Sequence, residues 1–401
     1  VFALDRESGE LRWAYTAEES VLPEAMVIID NRLYLIDQTG LATVERANRR
    51  GKEIETAKSL KALDLQTGET LWETDEGLGG RVLWSNGDVL LVTKRHSSAY
   101  VAETGELLWS KHIPGHQYPV VIGDTFYLYP GAYDIRTGNS RERVHPITNR
   151  SVPWRAAYKG GCGSFSGNPG ALFCRAGAAG ILDLAQDSGM GWLGQVRASC
   201  WVNMIAAGGM LLFPEGASSC SCPYNYQTSL AMVPDNRYEK WDVFPDAGAP
   251  SGSRVRDLSV NFGAVGDKRD EQGALWTAFP RPFKPGALTV PLFAMNFPDY
   301  YRYNADETPI QGTDTPWLYS CGSEGLRRAE LELYMKQPVP APPCGSAPQI
   351  DGRLDDDCWD GRSPLILASD NQATDGKAVA YMRVDNENLY VGFRREAGTY
   401  G

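Results

Sequence analysis

The 401-residue chain has no apolar run long enough to cross a bilayer: the apolar stretch Met204 to Pro214 is about ten residues where a spanning helix needs ~20. No helical membrane span is expected. Positive charge is also in short supply, with 39 Lys and Arg against 50 Asp and Glu and a net charge of −11. The chain therefore offers no overall electrostatic footprint for a phosphate backbone, and nucleic acid is not expected as a partner. Histidine is scarce: His96, His112, His116 and His145 all lie away from the cysteine cluster in sequence, and no Cys-x-x-Cys spacing occurs. Zinc lacks the ligand spacing it needs, and no metal site is assigned. P-loop, Gly-x-Ser-x-Gly and His-Glu-x-x-His motifs are all missing, which removes the common signatures of nucleotide binding, serine hydrolysis and zinc proteolysis. The chain also opens without an initiator Met, a basic leader or an apolar leader core, and it opens inside a repeat. That is the pattern of a mature or excised segment of something longer.

Turn formers and aromatics are plentiful: Gly 42, Pro 25, Tyr 19 and Trp 11 describe tight turns and aromatic strands, an all-β composition. Five of the eight cysteines (Cys162, Cys174, Cys200, Cys220 and Cys222) fall in a Gly- and Ser-rich region with little to bury, and the others are Cys321, Cys344 and Cys358. Covalent staples are most useful in such a region, so structural disulfides are expected, and with them a secreted, extracellular or periplasmic location. The spacing selects no connectivity.

The strongest signal is internal repetition. Ala3-Leu4-Asp5, Gly9 and Trp13 return at the same spacing as Ala62-Leu63-Asp64, Gly68 and Trp72. The pattern A-x-D-x3-G-x3-W recurs at Ala99, Val101, Gly105 and Trp109, with Val in place of Asp, and at Ala132, Asp134 and Gly138, with Glu142 in place of Trp. Looser echoes follow at Leu182-Asp183-Leu184 with Trp192 and at Leu230-Ala231-Met232 with Trp241. Each unit reads as strand, tight turn and strand. The Asp accepts from turn amides, the Gly supplies the positive φ, and the Trp packs toward the next unit. Strand-like runs at Ala25 to Ile36, Arg81 to Thr93, Val120 to Tyr129 and Met204 to Phe213 supply the other half of each four-stranded blade. A radial array of such blades protects edges that an open sheet would expose.

These residues resemble the quinoprotein-like propeller repeat, shared by pyrroloquinoline-quinone dehydrogenases and many non-enzymatic propellers, over residues 1 to 245. The resemblance implies a β-propeller with about five complete blades in this chain, preceded by two closing strands of another, and six to eight in the parent. Either earlier blades precede the segment, which is the favoured reading, or strands beyond residue 245 complete the first blade. The stretch from Arg155 to Pro234, through Gly161-Cys162-Gly163, Asp187-Ser188-Gly189, Arg197 to Asn203 and Cys220-Ser221-Cys222, looks like the last blades of large secreted bacterial proteins that join such propellers to sugar-binding modules.

Beyond Asp246 the repeat stops at the linker Ala247 to Ser253. Val260 to Asp267 and Gly273-Ala274-Leu275-Trp276 look like a malectin-type β-sandwich segment, with apolar strands at Ala287 to Ala294 and Ala329 to Met335 and with Tyr300, Tyr301 and Tyr303 between them. Those tyrosines suit either a sugar platform or the cover of a join between domains. After the Pro-rich connector Pro338 to Pro343, Gln349 to Trp359 and Ala378 to Phe393 resemble the opening of a family-nine carbohydrate-binding module, in which Trp359 would be a core residue. The expected domains are thus a propeller over 1–246, a malectin-like segment over 254–336 and the start of a carbohydrate module over 345–401.

Quinone chemistry in the related dehydrogenases uses a Trp, a vicinal disulfide, a Ca²⁺ and an Asp base. Cys220 and Cys222 are separated by Ser221, so the vicinal pair is missing. No cofactor is expected, and Ca²⁺ is the one ion for which the resemblance leaves room. A polysaccharide lyase needs a base near cations that neutralise a uronate, and a glycosidase needs two carboxyls. Candidate catalytic residues are His116, Arg155, Lys159, Arg197, Tyr224 and Tyr226, and Trp201, Asn203, Tyr300 and Tyr301 are candidate sugar contacts. Each also suits turn capping or blade packing. The charged stretch Glu45 to Lys61 reads as a solvated loop with a helical turn. The expectation is a secreted propeller that binds or processes extracellular polysaccharide. A structural or protein-assembly scaffold is the alternative, and a quinone-dependent oxidoreductase the third reading.

Overall fold

The computed structural model describes residues 1–401 except 95, 115–117, 157–159, 195, 197–200, 215–228, 236–239, 247, 250–251, 283–285, 295–298, 304–307, 336–347, 350–352, 354–358, 360–364, 368–377, 385–388 and 396–401. It is a β-propeller array followed by smaller sheets. Two compact units separate, one formed by Val1–Ala249 with Ser253–Leu333 and the other by Pro250–Gly252 with Tyr334–Gly401.

Each of the four strand-like runs of the repeat region resolves into a hairpin. An antiparallel pair, Phe2–Leu4 and Leu11–Ala14, precedes a first blade of Val21–Ile29, Arg32–Gln38, Lys58–Asp64 and Thr70–Thr74. The second blade is Val82–Ser85, Val89–Thr93, Ser97–Val101 and Leu107–Lys111. Inner strands are apolar on both sides because each blade is sandwiched between two others. In Val89–Thr93 every residue is buried: Leu90 and Val92 pack on Tyr34, Ile36 and Leu60 of the first blade, while Val89 and Leu91 pack on Phe126, Leu128 and Ile135 of the third. The period-2 alternation of a strand thus serves two interfaces at once.

The repeat residues do the work assigned to them. Oδ1 of Asp64 accepts from the amides of Gln66 and Thr67 at 2.8 and 2.9 Å, and Asp5, Asp134 and Asp183 make the same pair of bonds. Trp13, Trp72 and Trp109 each donate Nε1 to a carbonyl of the following unit, at Leu65, Ala102 and Ile135, over 2.9, 3.2 and 2.9 Å. Each indole also lies flat against the next unit's turn glycine, at Gly68, Gly105 and Gly138.

The later blades depart from the pattern. In the third, Val120–Ile122, Thr125–Leu128 and Gly131–Asp134 form a sheet whose fourth strand is split: Ser140 bridges Tyr133 and Arg155 bridges Gly131. The residues between form an inserted hairpin, Glu142–Val144 with Ser151–Pro153. The fourth blade, Ser166–Asn168, Ala171–Ala176, Ala178–Asp183 and Met190–Leu193, gains a fifth strand from Asp242–Val243. Its Trp192 donates to Ala176 of its own blade rather than to the next. The fifth blade comprises Ile205–Ala207, Met210–Phe213 and Leu230–Met232. The last echo in the sequence is therefore divided. Leu230–Met232 stays in the fifth blade, whereas the strand after Trp241 returns to the fourth.

Within the first unit, the segment after Ser253 is bonded to this array. Asp242 exchanges backbone hydrogen bonds with Asp267, Leu288 donates to Phe244, and Arg256 donates to Ile147 at the inserted hairpin's tip. Ser259–Phe262 runs parallel to Leu275–Phe279, with Lys268–Arg269 on its other edge, and the pairs Leu292–Ala294 with Ala329–Leu331 and Asp299–Arg302 with Cys321–Glu324 follow. The second unit holds a three-stranded antiparallel sheet of Leu365–Leu367, Ala378–Val384 and Leu389–Arg395. The charged interruption of the first blade contains a nine-residue helix, Leu41–Arg49.

Candidate functional site

A cleft of about 590 Å³ opens where three elements meet: the tip of the inserted hairpin, the turn of the fourth blade at Asp187, and the strands around Ser259 and Leu275. The hairpin tip is a disguised copy of the repeat turn. Nδ1 of buried His145 accepts from the amides of Ile147 and Thr148 at 3.3 and 3.2 Å, as the Asp carboxylate does elsewhere. Asn149, four residues on, takes the positive φ of the Gly at 53°. This role requires a neutral imidazole with the proton on Nε2. Burial pushes the pKa of His145 down, and the Arg143 charge pushes the same way against Asp246.

The fourth blade substitutes likewise. Asp187 stands four residues after Asp183 and takes φ 45° in place of glycine. Its Oδ1 receives Nη1 of Arg143 at 2.8 Å, and the Arg143 side chain is only 7% exposed. The other Arg143 amine donates to the carbonyl of Arg155. Arg269 donates Nε to the Asp187 carbonyl at 3.0 Å and Nη1 to that of Gly273 at 2.7 Å. Both guanidinium groups face the Phe244 ring, 4.6 and 5.6 Å from its centroid. Burial raises the Asp187 carboxyl pKa against the pull of the two cations, and burial lowers that of each Arg. The guanidiniums stay charged. The cleft is thus backed by a fixed ionic cluster in which the guanidinium amines of Arg143 and the Nε and Nη1 of Arg269 donate to protein acceptors while Nε of Arg143 is buried without one, and the other carboxylate on the wall, Asp257, accepts from Nδ2 of Asn149.

Those residues singled out from sequence that are described are not gathered at this cleft. Arg155 contributes its backbone, and its side chain is exposed. Asn203 is buried with φ 63° and donates Nδ2 to the carbonyls of Ser164 and Phe173, pinning one blade to its neighbour. Trp201, at φ 66°, is 66% exposed. Tyr300 and Tyr301 are successive residues of a strand and so face opposite sides. The ring beside Tyr301 is that of Tyr303, 5.4 Å away and tilted by 47°. His116, Lys159, Arg197, Tyr224 and Tyr226 lie outside the described residues. Of the cysteines, Cys162 is exposed, Cys174 and Cys321 are buried, and no disulfide joins two described cysteines; the remaining five fall outside the description. No metal-binding group of three or more His, Cys, Asp or Glu occurs among the described residues, and no described helix is long and apolar enough to cross a membrane.

Sequence reading missed His145, Asn149, Asp187, Arg143 and Arg269. The signal available was the four-residue spacing, His145 to Asn149 and Asp183 to Asp187, once His is admitted for Asp and Asn or Asp for Gly.

Residues 56–157 match the family model described as outer membrane protein assembly factor BamB, so the chain carries repeats of the quinoprotein-like type. Among solved structures, BamB from Moraxella catarrhalis is 15% identical over 51% of this chain and 58% of its own, with a TM-score of 0.34. A quinohemoprotein alcohol dehydrogenase from Comamonas testosteroni is 13% identical over 56% of this chain and 45% of its own, with a TM-score of 0.31. The computationally designed protein Ika4 is 14% identical over 42% of this chain and 93% of its own, with a TM-score of 0.26. The chain thus spans 58% of the BamB structure's length. No curated protein matches.

Proposed function

We propose that the chain is an interaction scaffold that works outside the cytoplasm, a rigid propeller whose task is to present surfaces rather than to turn over a substrate. The observation that supports this reading is how the repeat spends its chemistry. The Asp carboxylates bind turn amides, the three docked Trp bind the neighbouring unit, and the charged wall of the junction cleft is paired to itself through Arg143, Asp187 and Arg269. Preorganised groups that face each other stiffen a frame, whereas catalysis needs groups that face a reacting atom. The family match over residues 56–157, to an assembly factor, is consistent with a role in protein assembly.

The test is a pair of activity screens beside an assembly measurement. A depolymerisation panel of neutral, uronate-containing and sulfated polysaccharides, and a dehydrogenase assay after reconstitution with pyrroloquinoline quinone and Ca²⁺, are both expected to stay silent. Native-mass measurement after purification from the source extract is expected to find the chain in a stable complex. Turnover in either screen overturns the reading.

A second reading, glycan binding, is favoured by the exposed ring pair of Tyr301 and Tyr303, since aromatic faces stack on pyranose C–H faces. Tyr303→Ala is its cleaner probe, because Tyr301 lies tight over Gly322. Retention on insoluble polysaccharide that survives Tyr303→Ala removes this platform.

A further inference from the structure

At the end of the first blade, remote in sequence from the junction cleft, a second and larger cleft of about 930 Å³ lies between the strand ends and the inserted helix Leu41–Arg49. Its rim is acidic. Glu18, Glu19, Asp37, Glu73 and Asp75 line it, with Lys58 as the lining cation and Lys61 bonded to its rim.

The bonding within the rim is unequal. Lys61 is spent on Glu18 and Glu73 at 2.8 and 3.2 Å, and Lys58 donates to the carbonyl of Gly80. Buried Asp37 is saturated by the Tyr15 hydroxyl and the amides of Glu18 and Glu19. Glu19 and Asp75 are exposed and have no cationic partner among the described residues. Five carboxylates against two ammonium groups leave a net charge of −3 in one concavity, and of that excess Glu19 and Asp75 sit where solvent or a partner can reach them.

A second observation is independent of charge. Gln38, 5% exposed, lines the same cleft, and its Nε2 has no hydrogen-bond partner. A buried amide donor without an acceptor is costly, and such groups in native structures commonly await a partner. The same cleft is also lined by apolar side chains, Leu41 and Val44, one helical turn apart, and Leu78, all half-buried.

We propose that this cleft docks a basic peptide segment of a partner protein. A Lys or Arg would lay its aliphatic stem on Leu41, Val44 and Leu78, carry its cationic head to Glu19 and Asp75, and place a main-chain carbonyl on Gln38. A long cationic side chain is the residue type that satisfies an apolar wall and an anionic rim together, and the acidic field would speed its encounter. The inference rests on the scaffold reading and names the chemistry of the partner.

The experiment uses the full chain and fluorescence anisotropy with a fluorescein-labelled octapeptide alternating lysine and leucine, compared with the same peptide acetylated on every lysine. The lysine peptide is expected to bind at least about tenfold tighter than the acetylated one, and to weaken as NaCl is raised from about 50 to about 300 mM, since screening shortens the reach of exposed charges. Glu19→Gln with Asp75→Asn, both exposed positions, is expected to cost about tenfold in Kd with no change in melting temperature. Gln38→Met keeps the side chain's length and removes the donor. It is expected to weaken binding several-fold while leaving the salt dependence intact. Equal affinity for the acetylated peptide, no binding of either, or binding unmoved by the double variant overturns the proposal. Absent binding with silent activity screens refutes the cleft and leaves the scaffold standing, whereas turnover in those screens refutes the scaffold whatever the titration shows.

Discussion

An alanine at Gly105 would set a methyl group 2.6 Å from Cε3 of Trp72 and 2.9 Å from its Cδ2, in a residue held at φ 76°. Two costs follow. The left-handed conformation of a residue with a Cβ costs about 1–2 kcal/mol, and forcing a methyl into a packed contact costs about 1–3 kcal/mol, so Gly105→Ala is expected to destabilise by roughly 2–5 kcal/mol. The chain supplies its own control, because Gly9 occupies the same turn at φ 74° with nothing within 4 Å of the added carbon. Gly9→Ala should therefore show the backbone cost alone. The difference, about 1–3 kcal/mol, is a factor of roughly 5 to 150 in the unfolding constant. Urea unfolding followed by tryptophan fluorescence measures both, with Gly68→Ala against Trp13 as a repeat of the test. Equal losses at Gly9 and Gly105 would refute the claim that indole docking, and not turn geometry alone, fixes glycine at this position.

Further outcomes follow from the junction. His145 must be neutral to accept two amides, and its pKa is depressed below the unfolded value near 6.5. The unfolded chain thus binds the proton more readily than the folded one, and the stability His145 contributes is full above about pH 6.5 and is lost as pH falls through the depressed folded value. Urea titrations between about pH 7.5 and 5 should show that slope in the native chain, and His145→Asn should flatten it; an unchanged slope sinks the assignment. Asp187→Ala would leave buried Arg143 without its countercharge and is expected to cost about 3–5 kcal/mol. Asp187→Gly combined with Arg143→Met should recover most of that loss in the same denaturation assay, and failure to recover would mean that the ion pair is not the source. Trp72→Phe keeps a six-membered aromatic ring and removes the bond to Ala102, so a loss of about 0.5–1.5 kcal/mol is expected from the hydrogen bond. A much larger loss in thermal unfolding would point to indole volume rather than the hydrogen bond.

The blade pattern was legible because Asp, Gly and Trp each answer one local demand: an acceptor for turn amides, a positive φ, a flat ring with a donor. His145 and Asn149 meet the same demands with different chemistry, an imidazole nitrogen for a carboxylate oxygen and an Asn that tolerates the left-handed region, so a search by residue type passes over them. The destination of the strand after Trp241 was not legible, since spacing does not say which sheet a strand joins. The ionic cluster was hidden for a related reason: Arg143 and Asp187 are separated by 44 positions, and Asp187 and Arg269 by 82. Local spacing carries no information at that range. The charged stretch after Glu45 shows the limit of composition, because its helix begins earlier, at Leu41, whose apolar residues face the blade end.

The return of Asp242–Val243 to the edge of the fourth blade changes how the molecule should come apart. A stack in which each repeat touches only its neighbours melts like a one-dimensional chain, fraying from an end one unit at a time. The opening hairpin and the first two blades, linked by successive Trp docks, fit that description. At the other end, a strand that leaves the fifth blade, closes the fourth and is itself bonded to Asp267 ties three segments into a single cooperative block. Hydrogen exchange should then report graded opening energies along the first 110 or so residues and one shared value for the edge amides of the fourth blade and residues 242–244.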